Sequence, residues 1–210
     1  MSSFVLRYFP AHSRAETIKA ILSYAEIEYK YETPEWPQQK SEQPAGKLPV
    51  LVETLADSSE YVLSDSLAIE SYLVDKFKLS VTGDSQIIAR QLEIRYQIKD
   101  MFEACTLYRY SPPEARQMFL DYFLSSAKDF VKYHEKLLAE NGSNGHYFGN
   151  NITYVDLAAY ATYRAIEAQL SDATPQALDN FSKENAPLMN KVFETVSAEP
   201  RLASYLATFN

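Results

Sequence analysis

The stretch Gly46-Lys47-Leu48-Pro49-Val50-Leu51-Val52-Glu53, continuing to Tyr61-Val62-Leu63-Ser64-Asp65-Ser66, decides how the first part of this chain folds. Val50 to Glu53 is a short apolar run behind a proline, which lacks a ladder amide and so belongs before a strand rather than within one. Tyr61 to Leu63 is a second run, and the polar segment Asp57 to Glu60 makes the turn between them. Ser66 to Phe77 then follows with helical spacing. Working upstream, Phe4 to Phe9 predicts a strand. Ala15, Ile18, Ile21, Leu22 and Ala25 recur as one helix face. Ile27, Tyr29 and Tyr31 alternate with charged residues as a half-buried strand. Ser13-Arg14-Ala15-Glu16 has the spacing of a capping box, with Ser13 serving the first free amides and Glu16 reaching back. Thr33 to Gly46 holds three prolines and is mostly loop. The predicted order is βαβ, a loop, then ββα.

Downstream of a polar break from Lys78 to Asp84 the strand signals vanish. Gln86 to Tyr110 is one long helical pattern, stopped by Pro112-Pro113, and Glu114 to Glu140 is another, ended by Asn141-Gly142. A third begins at Thr153, where Thr153 and Asp156 form a capping box and Ile152 and Leu157 a hydrophobic staple. Three shorter helices follow, with Pro175, Pro187 and Pro200 in first-turn positions. The expected architecture is an α/β domain over residues 1–78, a linker over 79–84 and an all-helical domain over 85–210.

Composition narrows the function. The chain has 210 residues, and 20 Lys and Arg against 28 Asp and Glu leave a net charge of −8. That field repels phosphate backbones and anionic lipid, so neither nucleic acid nor membrane is an expected partner. Five glycines fit neither G-x-G-x-x-G nor the P-loop, which removes the two commonest phosphate cradles. A single cysteine, Cys105, excludes an internal disulfide, a CxxC pair and a thiolate zinc site, and its place in mid-helix favours an apolar packing role. Three histidines (His12, His134, His146) are too scattered for HExxH, and His12 reads as an exposed loop residue. No apolar run approaches the ~18 residues of a membrane span, and the first residues do not form a signal peptide. A cytoplasmic protein is expected.

Four motifs in order carry a resemblance. They are Tyr8-Phe9-Pro10 with Arg14-Ala15-Glu16, then Trp36-Pro37 with Lys40, then Gly46-Lys47-Leu48-Pro49-Val50-Leu51, and then Ser64-Asp65-Ser66 with Ala68-Ile69. Together they resemble the cytosolic glutathione S-transferases, most closely the sigma class, which includes glutathione-dependent prostaglandin D synthases. The resemblance spans the chain, since the Thr153 box also matches. It implies a thioredoxin-like N-terminal domain, a helical C-terminal domain and a homodimer. It also implies a glutathione co-substrate and no metal, because Tyr96 and Lys99 stand where the class's ion-binding acids would be.

The resemblance assigns Tyr8 as the catalytic residue. A thiol with a pKa of about 8.5 is only ~3% thiolate at pH 7. A hydroxyl aimed at the sulfur that lowers this by two units, worth roughly 2.7 kcal/mol, makes most of it thiolate. Ser13 is a rival activator, because other classes use a serine in this region; N-capping is its other reading. Glutathione binding is assigned to Tyr8, Arg14, Trp36, Lys40, Lys47, Leu48, Pro49, Asp65 and Ser66, and Asp100 reaches the glutathione of the partner subunit. In that family Pro49 is cis, and the Leu48 backbone pairs with the cysteinyl part of glutathione as an added strand. Ser66 takes the γ-glutamyl carboxylate at a helix N-terminus, with Asp65 near the α-ammonium. Arg14 has a structural reading as well. The electrophile site is assigned to Phe9 and to Phe102, Thr106 and Tyr110, which follow at i, i+4 and i+8 on one helix face; ordinary packing accounts for that spacing too.

The expected activity is conjugation of the glutathione thiolate to apolar electrophiles, a detoxification chemistry. Two rivals share the fold: a glutathione-dependent isomerase or peroxidase, and a non-catalytic glutathione-binding protein of the crystallin kind.

Overall fold

The computed structural model describes residues 3–81, 83–170 and 174–209. It divides into two compact units, residues 1–79 with 200–210, and residues 80–199. The first unit is α/β and the second helical, as the order of sequence signals implies, and the first has the thioredoxin-like layout that the resemblance implies.

In the first unit, β1 (Ser3–Arg7), α1 (Glu16–Tyr24) and β2 (Tyr29–Glu32) precede β3 (Val50–Thr54), β4 (Glu60–Ser64) and α2 (Ser66–Lys76). The strands lie in the order β2-β1-β3-β4. β1 runs parallel to β2, and β3 runs antiparallel to both β1 and β4. Phe4 and Leu6 are buried while Val5 and Arg7 are half-buried, the alternation of a sheet covered mainly on one face. β3 is central, and Val50 to Glu53 are all buried. Glu53 escapes an unpaired burial because Lys76 Nζ lies 2.7 Å from it and the Tyr72 hydroxyl donates to it, both from α2.

Helix α1 starts later than its sequence signal predicts. Ser13, Arg14 and Ala15 form a turn in which the Glu16 amide donates to the Ser13 carbonyl at 3.0 Å. The N-cap is Ala15, with no side-chain cap. Glu16 turns inward instead of reaching back. It is 1% exposed, accepts from Lys19 Nζ at 2.8 Å and has His12 Nδ1 at 3.3 Å. A carboxylate already held by a cation inside the fold is not available to close a capping box.

The C-terminal residues join this first unit, where their place in the sequence suggested the helical one. Pro200–Leu202, α7 (Ala203–Leu206) and Ala207–Phe209 lie against α1. Ser23 Oγ donates to the Arg201 carbonyl at 2.8 Å, the Arg201 guanidinium sits 3.8 Å over the Tyr24 ring, and Phe209 stacks on His12 at 4.2 Å. His12 is therefore half-buried rather than an exposed loop residue.

The second unit contains α3 (Ser85–Arg109), α4 (Arg116–Glu140), α5 (Tyr154–Leu170) and α6 (Pro187–Ser197). Asp84 caps α3, accepting from the amides of Gln86 and Ile87 at 3.0 and 3.1 Å. α5 is the buried centre of this unit. At its start Asp156, 0% exposed, accepts from the Thr153 amide and hydroxyl at 2.7 Å each and from the Tyr147 amide at 2.8 Å. The acid's half of the box predicted at Thr153 thus forms, with the Thr153 hydroxyl donating to the same carboxylate, and the acid also ties down the preceding loop.

His134 of α4 is 0% exposed, stacks on Phe130 at 3.8 Å and shares a 2.6 Å hydrogen bond through Nδ1 with the Tyr147 hydroxyl. Its Nε2 has no hydrogen-bond partner among the described residues. Burial lowers its pKa to about 3. Between pH 3 and the ordinary histidine value near 6.5, the unfolded chain therefore binds a proton that the native state refuses. Stability rises with pH across that window and falls as pH drops, by up to about 1.4 kcal/mol per pH unit from this residue. Thermal melts from pH 7 to pH 4 should show a shallower loss of Tm in His134→Phe than in wild type; identical slopes would remove His134 from the acid response.

Candidate functional site

Strand register brings the motif residues of the first unit to one end of the sheet. Arg7 pairs with Val50, and Val50 pairs with Ser64. The next residues outward are Tyr8 after Arg7, Pro49 before Val50 and Asp65 after Ser64, so three distant motifs meet at neighbouring strand ends. Glu32 also pairs with Arg7, so the 33–47 loop carrying Trp36, Lys40 and Lys47 leaves from the same end.

Tyr8 is 4% exposed. Its amide donates to the Glu32 carbonyl at 3.0 Å, extending the β1–β2 ladder by one residue. Its hydroxyl oxygen accepts the Arg14 amide at 3.1 Å. Phe9 packs edge-on against Tyr8 at 5.5 Å and against Trp36 at 5.3 Å. Lys40 Nζ lies 5.9 Å from the Trp36 ring, a cation held beside an aromatic face. Lys40 and Lys47 are exposed, and neither makes an ion pair among the described residues. Both are therefore available to an anion. Arg14 enters through its amide, and its side chain is half-buried.

The Leu48–Pro49 peptide is cis, as is Trp36–Pro37. Leu48 lies in a bend two residues before β3, at the strand end shared with Tyr8. Asp65 is the N-cap of α2, and one carboxylate oxygen accepts from the amides of Leu67 and Ala68 at 3.0 and 3.2 Å. Its φ of +76° is a conformation side chains rarely adopt, held by the junction between β4 and α2. Ser66 opens the helix beside it, where the helix dipole favours an anionic group although Asp65 already takes the next two amides. Ser13 lies in the turn before α1, with its carbonyl rather than its hydroxyl engaged by Glu16.

The remaining predicted residues belong to the helical unit. Asp100 is exposed, with Lys99 Nζ at 3.8 Å. Phe102 is buried, Thr106 donates its hydroxyl to the Phe102 carbonyl at 3.0 Å, and Tyr110, at the end of α3, is 75% exposed. The three share a helix face but grade from core to solvent. Cys105 is fully buried, and burial pushes its thiol up to about 12, which suits packing and not nucleophilic chemistry. No group of three or more His, Cys, Asp or Glu placed to hold a metal ion occurs among the described residues.

One participant escaped sequence reasoning. The Tyr31 hydroxyl donates to the Phe9 carbonyl at 2.6 Å. Its only signal was the alternation of Tyr29 and Tyr31 along β2, which marks a face and names no partner.

Residues 4–75 match the family model for the glutathione S-transferase N-terminal domain, and residues 99–208 match that for the glutathione S-transferase C-terminal domain. The chain is 32% identical over 165 residues to the probable glutathione S-transferase 6 of Caenorhabditis elegans, covering 75% of this chain and 77% of that protein. It is 26% identical to human hematopoietic prostaglandin D synthase over 98% of this chain and 96% of that one. Among solved structures, a sigma class glutathione transferase of Fasciola hepatica superposes with a TM-score of 0.83 at 22% identity, covering 100% and 97% of the two chains.

The cap at Asp65 supplies a test of the α2 end of the site. Asp65→Ala removes the carboxylate oxygen that accepts from both amides and should cost about 1 kcal/mol of stability, whereas Asp65→Asn keeps an acceptor and should stay within a few tenths. Denaturant titration distinguishes the two; equal losses would show that the carboxylate charge, not the cap, matters.

Proposed function

The chain belongs to the glutathione S-transferase family, and from that premise we propose that it joins the thiolate of glutathione to apolar electrophiles, with Tyr8 as the group that stabilises the thiolate. The observation that supports this most is the shared strand end of Tyr8, Leu48–Pro49 and Asp65–Ser66, with the Tyr8 oxygen already accepting the Arg14 amide. A hydroxyl whose oxygen accepts a hydrogen bond is polarised, so its O–H becomes a stronger donor. Directed at sulfur, that donor favours the anion and lowers the thiol pKa.

The ligand-holding roles follow from chemistry. Glutathione carries two carboxylates and one ammonium. The N-terminus of α2 at Ser66 takes the γ-glutamyl carboxylate, and the exposed carboxylate of Asp65 lies near the ammonium. The Leu48 backbone pairs with the cysteinyl peptide in strand fashion. Trp36, Lys40 and Lys47 hold the glycyl carboxylate, and Arg14 adds positive charge near the thiol. The thiolate attacks the electrophilic carbon directly. Sulfur forms the new bond, a leaving group departs with its electron pair or a conjugated double bond accepts the electrons, and no enzyme-bound covalent intermediate is needed. Phe9, Phe102, Thr106 and Tyr110 are the residues we assign to the electrophile, and Asp100 to the partner's glutathione.

The protein works as a cytoplasmic homodimer in this reading. Ile88, Leu92 and Tyr96 form an exposed apolar row at i, i+4 and i+8 on α3, and Tyr61 and Val62 are exposed on β4. The α3 row, large apolar side chains on one helix face, suits burial against a second copy. The similarity to human prostaglandin D synthase favours a second reading on the same site, isomerisation of an endoperoxide in which the thiolate attacks oxygen and is later released.

Conjugation of an aryl halide, measured from pH 6 to pH 9, tests the central role. Tyr8→Phe should lose roughly tenfold or more in rate, with glutathione affinity little changed and the apparent pKa of turnover moved toward that of the free thiol. Undiminished turnover in Tyr8→Phe would end the assignment.

A further inference from the structure

We infer that Tyr31 is a positioning residue for thiolate activation: it holds the peptide after Tyr8 and so sets where the Tyr8 hydroxyl points. This rests on the reading of Tyr8 above.

The Tyr8 side chain leaves the chain where β1 has ended, and its direction depends on what fixes the backbone on either side. On one side the Tyr8 amide is held by the Glu32 carbonyl at 3.0 Å. On the other, the Phe9 carbonyl accepts two donors, the Ala11 amide at 2.8 Å and the Tyr31 hydroxyl at 2.6 Å. The first of these is local to the turn and moves with it. Only the second ties the turn to the sheet, because Tyr31 is a residue of β2 paired with Leu6. Neighbouring residues of one strand, Tyr31 and Glu32, thus grip the backbone before and after Tyr8.

Packing backs the turn on part of its surface, where Phe209 stacks on His12 and the Phe9 ring meets Tyr8 and Trp36. Pro10, Ala11 and His12 line a cavity of about 420 Å3 together with Lys19, Tyr29 and Tyr31, so the turn is incompletely backed. The Tyr31 ring is itself steadied from α1. Lys19 Nζ lies 5.0 Å from the ring centroid, and Lys19 is anchored by the buried Glu16. Partial burial, then the Glu16 carboxylate and the neighbouring Tyr8 and Tyr29 phenols, push the Tyr31 pKa up, so its hydroxyl remains a donor throughout the working pH range. Without Tyr31 the Phe9 carbonyl keeps the Ala11 amide, a donor of the same turn, and the peptide can rotate with that turn relative to β2. The Phe9 ring, packed on both Tyr8 and Trp36, would carry that rotation to the catalytic phenol.

The test is a cycle of Tyr31→Phe, Tyr8→Phe and the double variant in the full-length protein. It reads aryl halide conjugation, glutathione affinity by calorimetry and the ultraviolet titration of the bound thiolate. Tyr31→Phe should fold, bind glutathione within about threefold of wild type and lose about fivefold to tenfold in kcat/KM. The bound thiol pKa should rise by about half a unit or more. Added to Tyr8→Phe, the same substitution should cost less than about twofold, because its effect passes through the Tyr8 hydroxyl. A fully additive loss, or a loss confined to glutathione affinity, overturns the positioning role. Wild-type thiol pKa and rate in Tyr31→Phe, with Tyr8→Phe impaired, overturn it while leaving Tyr8 in place. Wild-type behaviour in both single variants overturns it together with the assignment of Tyr8.

Discussion

The register of β1 against its two neighbours is the constraint on which the rest depends. Leu6 is fully buried and sits opposite Tyr31 on one side and Leu51 on the other. A slip of one residue would turn Leu6 and Phe4 out of the core and Val5 and Arg7 into it, and hydrophobic burial forbids this at several kcal/mol for two large side chains. The same register fixes Arg7 against Val50 and Val50 against Ser64. Tyr8, Pro49 and Asp65 are neighbours because the apolar residues behind them admit one alignment. The geometry of the site is a consequence of the core.

Buried carboxylates then fix helix ends within each of the two units. Glu16, Glu53 and Asp156 are each within 1% of complete burial. A lone buried charge is expensive, so each is compensated, and each by a different means. Glu53 on β3 is met by Lys76 and Tyr72, which fastens α2. Glu16 is met by Lys19 and His12, which fastens the start of α1 to the turn after Tyr8. Asp156 receives only neutral donors, two amides and a hydroxyl. Burial raises its pKa while those hydrogen bonds and the His146 charge pull it down. Glu53 thereby ties α2 to β3, whereas Glu16 and Asp156 are met partly from within their own helix ends and tie the preceding turn or loop to the helix start.

This explains what the sequence made legible. Elements with a strong period were placed closely: β1, α1, β3, α2 and the long helices α3 and α4 fall within a few residues of their predicted bounds. The proline and acid signals at Pro187 and Thr153 mark real helix starts because they act on the nearest amides. Ser13 misled for the same reason inverted. Its box is a local pattern, but Glu16 was recruited by Lys19 and the interior. The docking of residues 200–210 on α1 was not visible, since Leu202 and Tyr205 declare that they are buried without declaring against which body. Nor was Tyr31, whose bond to Phe9 joins residues 22 positions apart through a backbone oxygen that no residue type signals.

The two halves of the candidate chemistry differ in the same respect. The half proposed to bind the thiol is shaped largely by backbone: the cis Leu48–Pro49 peptide, the α2 start capped by Asp65, the Arg14 amide on Tyr8 and the carbonyl of Phe9. Backbone groups are placed by the fold, and only special residues such as a cis proline or a cap leave a trace of them in sequence. The half assigned to the electrophile is built from side chains on α3. Phe102 is committed to the core, the Thr106 hydroxyl to its own helix and Tyr110 to neither, being largely in solvent. A side chain that holds nothing together is free to change without cost to stability. In the proposed site the thiol end is thus fixed by folding, while of the α3 positions assigned to the electrophile Tyr110 alone is left largely unconstrained, and its exposure leaves no motif by which the target could be read.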